Sequence, residues 1–183
     1  RLPDQSTMSR RLRRAQTLDD LDALLQLLQD GLDESGDASI ARVDGKPLAI
    51  SMFSDDEDAT VGWGAGNMQR GYKLHALVSN SKRLLANSVE PMNQPESITA
   101  ARLLMQAHNA GRIGVARLLL GDGSYDSNPL HGAAASVGLQ LLAPRRRPDK
   151  GLSKNHKHHP GRILSAMLLE GDPEIAAWQR VTR

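Results

Sequence analysis

Two aspartates stand where acids could do chemistry. Asp44 follows the alternating run Ile40-Ala41-Arg42-Val43, and Asp122 follows the apolar run Leu118-Leu119-Leu120-Gly121. Side chains at the ends of adjacent strands in an open sheet converge on one site. Two carboxylates brought together repel each other unless a cation lies between them. An all-oxygen donor set suits Mg²⁺ or Mn²⁺. A pair of such ions about 4 Å apart can activate an attacking oxygen and stabilise a leaving one in phosphoryl transfer. The plainer alternative makes both acids turn residues, since each precedes a glycine, Gly45 or Gly123.

The basic residues fall in two groups. Arg10, Arg11, Arg13 and Arg14 lie near the start, and Arg145, Arg146, Arg147, Lys150, Lys154, Lys157 and Arg162 lie late. On a chain whose formal net charge is only +2, such clustering suggests a polyanionic partner, with solvated loops as the alternative. Phosphate contacts from the later group would add affinity that is salt-sensitive and blind to sequence. Other chemistries find less support. There are no cysteines, which excludes disulfides and thiolate metal sites. His156, His158 and His159 lack the spacing of a structural zinc site. The glycine-rich stretch around Trp63 has no Lys-Ser/Thr after it and no buried strand before it, so it reads as a loop. The stretch Gly121-Asp122-Gly123-Ser124 is not a nucleophile elbow.

The elements that must position the acids follow from periodicity. The chain has 183 residues, 39% of them hydrophobic and only 3% aromatic, so Leu, Ile, Val, Ala and Met must build its core. Leu18, Leu21, Leu24, Leu25, Leu28 and Leu32 predict an amphipathic helix over 17–32, behind a basic segment. Residues 40–51 read as one strand, or as two around Asp44-Gly45, and 54–71 as a loop. Strands are predicted at 72–79, 84–91, 115–121 and 139–144. Helices are predicted at 95–111 and 128–137, and from about Arg162 to the end. Three early strands can form an antiparallel meander. The later strands need helical crossovers and should be parallel. The expected fold is α/β, a mixed sheet with helices on both faces. Residues 1–37 would be a basic segment and helix left from an upstream region, and 38–183 the sheet domain. No apolar run reaches membrane-spanning length. The first residue is Arg1, so the chain is expected to begin inside a longer one.

Three stretches carry a resemblance. They are Arg42-Val43-Asp44-Gly45-Lys46-Pro47-Leu48, then Arg70-Gly71-Tyr72-Lys73-Leu74-His75-Ala76, then Asp122-Gly123-Ser124-Tyr125-Asp126-Ser127-Asn128. In order and spacing the chain resembles the insertion-sequence DDE transposases of the insertion-sequence-four/five type, from about Ser39 to Arg183. The resemblance implies a ribonuclease-H-like catalytic domain that uses Mg²⁺ or Mn²⁺ to cut and join double-stranded DNA at transposon ends and target. It implies Asp44 and Asp122 as the first two metal-binding, catalytic carboxylates. The third would be a glutamate on a late helix, four residues after an arginine matched here by Arg183, and so beyond the last residue. Glu170 and Glu174 are the late glutamates present. On this basis the fragment alone is expected to be inactive. The resemblance also places Lys73 and His75, which share a strand face, near the site, with Lys73 on a phosphate; a surface lysine and a packed histidine are the alternative. Tyr125 reads either as a DNA contact beside Asp122 or as a buried core tyrosine. A bacterial-type, nucleoid-associated protein of the cytoplasm follows, with a homo-oligomer on DNA as a further expectation. The alternatives are an inactive transposase-derived DNA-binding protein, a ribonuclease-H-like nuclease that never joins, and a soluble domain unrelated to nucleic acid.

Overall fold

The computed structural model describes residues 23–24, 39–152 and 157–183. The helix expected over 17–32 lies outside these except for Ala23 and Leu24, which are helical, and Lys154 lies outside them too. The chain divides into two units, Arg1–Ser35 and Gly36–Arg183. The second contains the sheet.

Strand β1 (Ile40–Ala49) runs unbroken through Asp44-Gly45. The turn alternative for Asp44 is thereby corrected, because Asp44 pairs with Ala76 in mid-strand. Strand β2 (Thr60–Trp63) falls in the stretch expected to be loop. Strand β3 (Met68–Ser79) is antiparallel to β1, from Ala41↔Ser79 to Ala49↔Gly71. Strand β4 (Leu84–Pro91) is antiparallel to β3. One edge of β3 is thus shared end to end, by β4 opposite residues 72–78 and by β2 opposite residues 68–71. Gly71 sits at the changeover with φ +144°, and a Cβ there would stand 2.2 Å from the Leu48 carbonyl oxygen. No larger residue fits such an approach.

Helix α1 (Glu96–Asn109) leads to strand β5 (Leu118–Leu120), shorter than expected, and to a 3₁₀ turn at Gly123–Tyr125. Helix α2 (Asn128–Ser136) is capped by the Ser127 hydroxyl, which accepts from Leu130 N–H at 3.3 Å. Strand β6 (Gln140–Leu142) follows. As expected of strands joined by helical crossovers, β5 is parallel to β1 and β6 is parallel to β5. The single late helix expected is in fact two, α3 (Pro160–Gly171) and α4 (Pro173–Thr182). Asp172 ends the first and caps the second, accepting from Glu174 N–H at 2.8 Å and Ile175 N–H at 3.2 Å. The sheet order is β2-β3-β1-β5-β6, with β4 beside β3.

Period-two alternation sorts the core onto two faces. Ala41, Val43, Leu77, Leu119 and Leu141 meet Leu103, Leu104 and Ala107 of α1 and Leu130 and Ala134 of α2. On the opposite face Ile40, Leu120 and Leu142 pack with Leu168 of α3. Each leucine buried this way contributes about 1.5–3 kcal/mol. Among the described residues no helix is long and apolar enough to cross a membrane.

Candidate active site

Parallel pairing sets the strands of the two aspartates side by side. β1 and β5 pair in parallel as Ile40↔Leu118, Ala41↔Leu119 and Arg42↔Leu120. Asp44 and Asp122 lie two residues beyond this pairing, Asp44 still within β1 and Asp122 past the end of β5. Both line one cleft of about 160 Å³ with Arg42, Val43 and Arg183.

Each acid has one oxygen tied to a main-chain N–H close to it in sequence. Asp44 Oδ1 accepts from Gly45 N–H at 2.8 Å. Asp122 Oδ1 accepts from Ser124 N–H at 2.8 Å and also from the Ser124 hydroxyl. Tyr125 lies fully buried below them. Burial pushes its phenol pKa well up, and the charges of Glu96, Asp44 and Asp122 push it further. The phenol therefore stays protonated, within the field of both site acids.

Helix α4 brings a cation to the cleft. Gln179, 1% exposed, donates from Nε2 to the Gly121 carbonyl at 2.8 Å and the Leu142 carbonyl at 3.3 Å. That bond docks α4 on the ends of β5 and β6. Arg183 is one turn further along the same helix face and lines the cleft with the aspartates.

Lys73 and His75 of the Gly71-to-Ala76 motif are both buried. His75 and Tyr125 are both 0% exposed, so neither ring can touch DNA in this structure. The packed histidine and the buried core tyrosine are thus the arrangement the structure has. A Cβ on Gly45 would come within 3.3 Å of His75 Nδ1 and Tyr125 OH and 3.2 Å of Lys73 Cδ. Burial lowers the His75 pKa, prevailing over the raising effect of Glu96. Lys73 is buried and paired with Glu96 rather than free for a phosphate.

The basic segment is likewise divided. Arg145 is paired with Glu170 through two guanidinium nitrogens. Arg146 is exposed, and its Cγ lies 3.6 Å from where a Gly123 Cβ would stand, beside the turn that carries Asp122. With Lys73, Glu96, Ser124 and Trp63 it lines a cavity of about 430 Å³. Arg147, Lys150 and Lys157 are exposed.

The donors fit a hard divalent cation in type, being carboxylate oxygens in an open cleft. In number they are few: among the described residues no group of three His, Cys, Asp or Glu could hold a metal ion. Glu170 faces Arg145, and neither it nor Glu174 lines the aspartate cleft. Gln179, Glu96 and Ser124 were not singled out in the sequence. A lone buried glutamine on an amphipathic helix carries no signal. Ser124 lay in view inside the Asp122 motif, without a partner to give it meaning.

The antiparallel strands β1, β3 and β4 and the parallel strands β1, β5 and β6 make one mixed sheet of an α/β domain. A family model described as the transposase DDE domain matches residues 36–166. The chain belongs to that family. Among solved structures it is similar to the Mos1 transposase in a paired-end complex with left transposon end, at 13% identity and a TM-score of 0.39. That likeness covers 81% of this chain and 46% of the other, so this chain spans about half the length of that transposase. The curated proteins compared include no match.

Proposed function

We propose that this domain performs the phosphodiester chemistry of DNA transposition: cleavage at the ends of an insertion sequence, then attack of the freed 3′-hydroxyl on target DNA. The observation that supports this is the cleft that Asp44 and Asp122 both line, beside the parallel pairing of β1 and β5. Asp44 and Asp122 would hold Mg²⁺ or Mn²⁺. When bound, such an ion stabilises charge on the attacking and leaving oxygens of an in-line displacement, so one site serves both steps and no nucleophilic side chain is needed. Arg183 and Arg146 are exposed beside the acids and would orient phosphates of double-stranded DNA. Arg147, Lys150 and Lys157 would extend that contact along the backbone. Action in the bacterial cytoplasm at the nucleoid, as a homo-oligomer on paired ends, belongs to the same proposal.

A second function, DNA binding without turnover, is favoured by the small number of carboxylates in the cleft. Both are tested by Mn²⁺ titration and by incubation with a transposon-end duplex. We expect Mn²⁺ binding that Asp44→Asn and Asp122→Asn each abolish, and duplex binding that weakens as salt rises. Binding without cutting selects the second function for this chain. Cutting without strand-transfer products selects a nuclease. Mn²⁺ binding indifferent to both substitutions would overturn the metal assignment.

A further inference from the structure

We infer that Ser124 and Glu96 are positioning residues for Asp122, anchored by Lys73; this rests on the metal site proposed above. The two site acids are held very differently. Asp44 stands inside β1, whose pairing with β3 continues on both sides of it. Asp122 has left the sheet: the Gly121 N–H still reaches the Leu142 carbonyl at 3.2 Å, but β5 itself ends at Leu120. A carboxylate on a strand-end turn needs some other restraint to face a ligand consistently.

The structure supplies that restraint from three separate elements. Ser124, in the 3₁₀ turn, holds Asp122 Oδ1 through both its N–H and its hydroxyl. The same hydroxyl also meets Glu96 Oε2, from the first turn of α1, so its single proton is shared between the two carboxylates. Glu96 Oε1 takes the ammonium of Lys73, from β3. One main-chain bond alone would leave the carboxylate able to turn, and the hydroxyl bond stops it. Glu96 holds the hydroxyl in the line between the two carboxylates while drawing on the same proton, and the Lys73 ammonium, paired to Glu96, weakens that pull and offsets its charge. Among the described residues none bonds Asp122 Oδ2, which is left as the oxygen for a ligand. Partners that orient a metal ligand typically change metal affinity 10–100-fold when removed.

The test uses the full chain and Mn²⁺ alone, with free Mn²⁺ read by electron paramagnetic resonance and thermal midpoints by circular dichroism without metal. Ser124→Ala should weaken Mn²⁺ binding about 10-fold or more with little change in the metal-free midpoint. Ser124→Thr, which returns the hydroxyl, should restore affinity. Glu96→Gln should weaken binding less than Ser124→Ala does. If Ser124→Ala binds like the wild type while Asp122→Asn does not bind, the inference falls and the metal site stands. The inference also falls if Ser124→Ala loses affinity and stability together and Ser124→Thr recovers neither. If Asp122→Asn binds Mn²⁺ as the wild type does, the metal site itself falls, and the inference with it.

Discussion

Arg162 of α3 holds the Asp126 carboxylate by two parallel bonds, Nε to Oδ1 and Nη2 to Oδ2, each 2.7 Å. The Asp126 side chain is 4% exposed, and its residue lies in the same turn-to-helix segment as Asp122. The pair therefore fastens the segment carrying the second site acid to the helix across the sheet end.

Removing the guanidinium would leave the buried carboxylate with His131 alone, a loss of up to about 3–5 kcal/mol. Arg162→Met should lower unfolding free energy by that order in a urea titration. Arg162→Lys should recover only part, because an ammonium cannot make the two-pronged contact. A Met variant as stable as the wild type would show that the pair does not stabilise the fold.

Acid should unfold the domain in two stages. Burial holds the His75 imidazole below its ordinary value despite Glu96. Its contribution is complete above the unfolded value of about 6.5 and declines as pH falls toward the lower folded value. For Asp126, burial pushes the carboxyl up, but His131 and Arg162 outweigh this and hold it below its ordinary value. That contribution is present above an unfolded value of about 4 and is lost as pH falls through the folded one. His75→Gln should flatten the first stage of a stability-against-pH curve, and Asp126→Asn the second. Unchanged curves in both variants would contradict these assignments.

Gln179→Leu should cost about 1–3 kcal/mol, because the Gly121 carbonyl loses its side-chain donor and the Leu142 carbonyl keeps only the Gly121 N–H. The same change frees the last turn of α4. Arg183 should then be more readily modified by a guanidinium reagent than in the wild type, which mass spectrometry can count. Equal modification would mean that Gln179 does not seat the helix.

Elements whose own alternation makes them strands or helices were legible from sequence: β1, β3, β4, α1 and α2. Asp122 does stand just past the end of its apolar strand, as its run suggested, whereas Asp44 lies in the middle of β1. β2 was not legible, because Thr60-Val61-Gly62-Trp63 has no alternation of its own. It is a strand because β3 begins early, at Met68, and offers it an edge. Its glycine also answers to a distant partner, as a Cβ on Gly62 would stand 2.5 Å from the Met92 carbonyl oxygen. The break between α3 and α4 was written in Asp172-Pro173, a cap followed by a first-turn proline, but the apolar spacing on either side masked it. The Lys73–Glu96–Ser124 chain was invisible for another reason. Its members come from three elements, and only the folded sheet makes them neighbours.

The joint at Asp172 gives α4 the mechanics of a lever. A single residue serves as both stop and start, so no flexible stretch absorbs a change of angle there. The helix beyond it has ten residues and is about 15 Å long, so a tilt of about 10° would carry its tip roughly 2.5 Å. That tip bears Arg183, and an ångström of misplacement beside reacting groups already slows chemistry severely. Whatever presses on this elbow would set how a phosphate sits over the two acids, from a distance and without touching either.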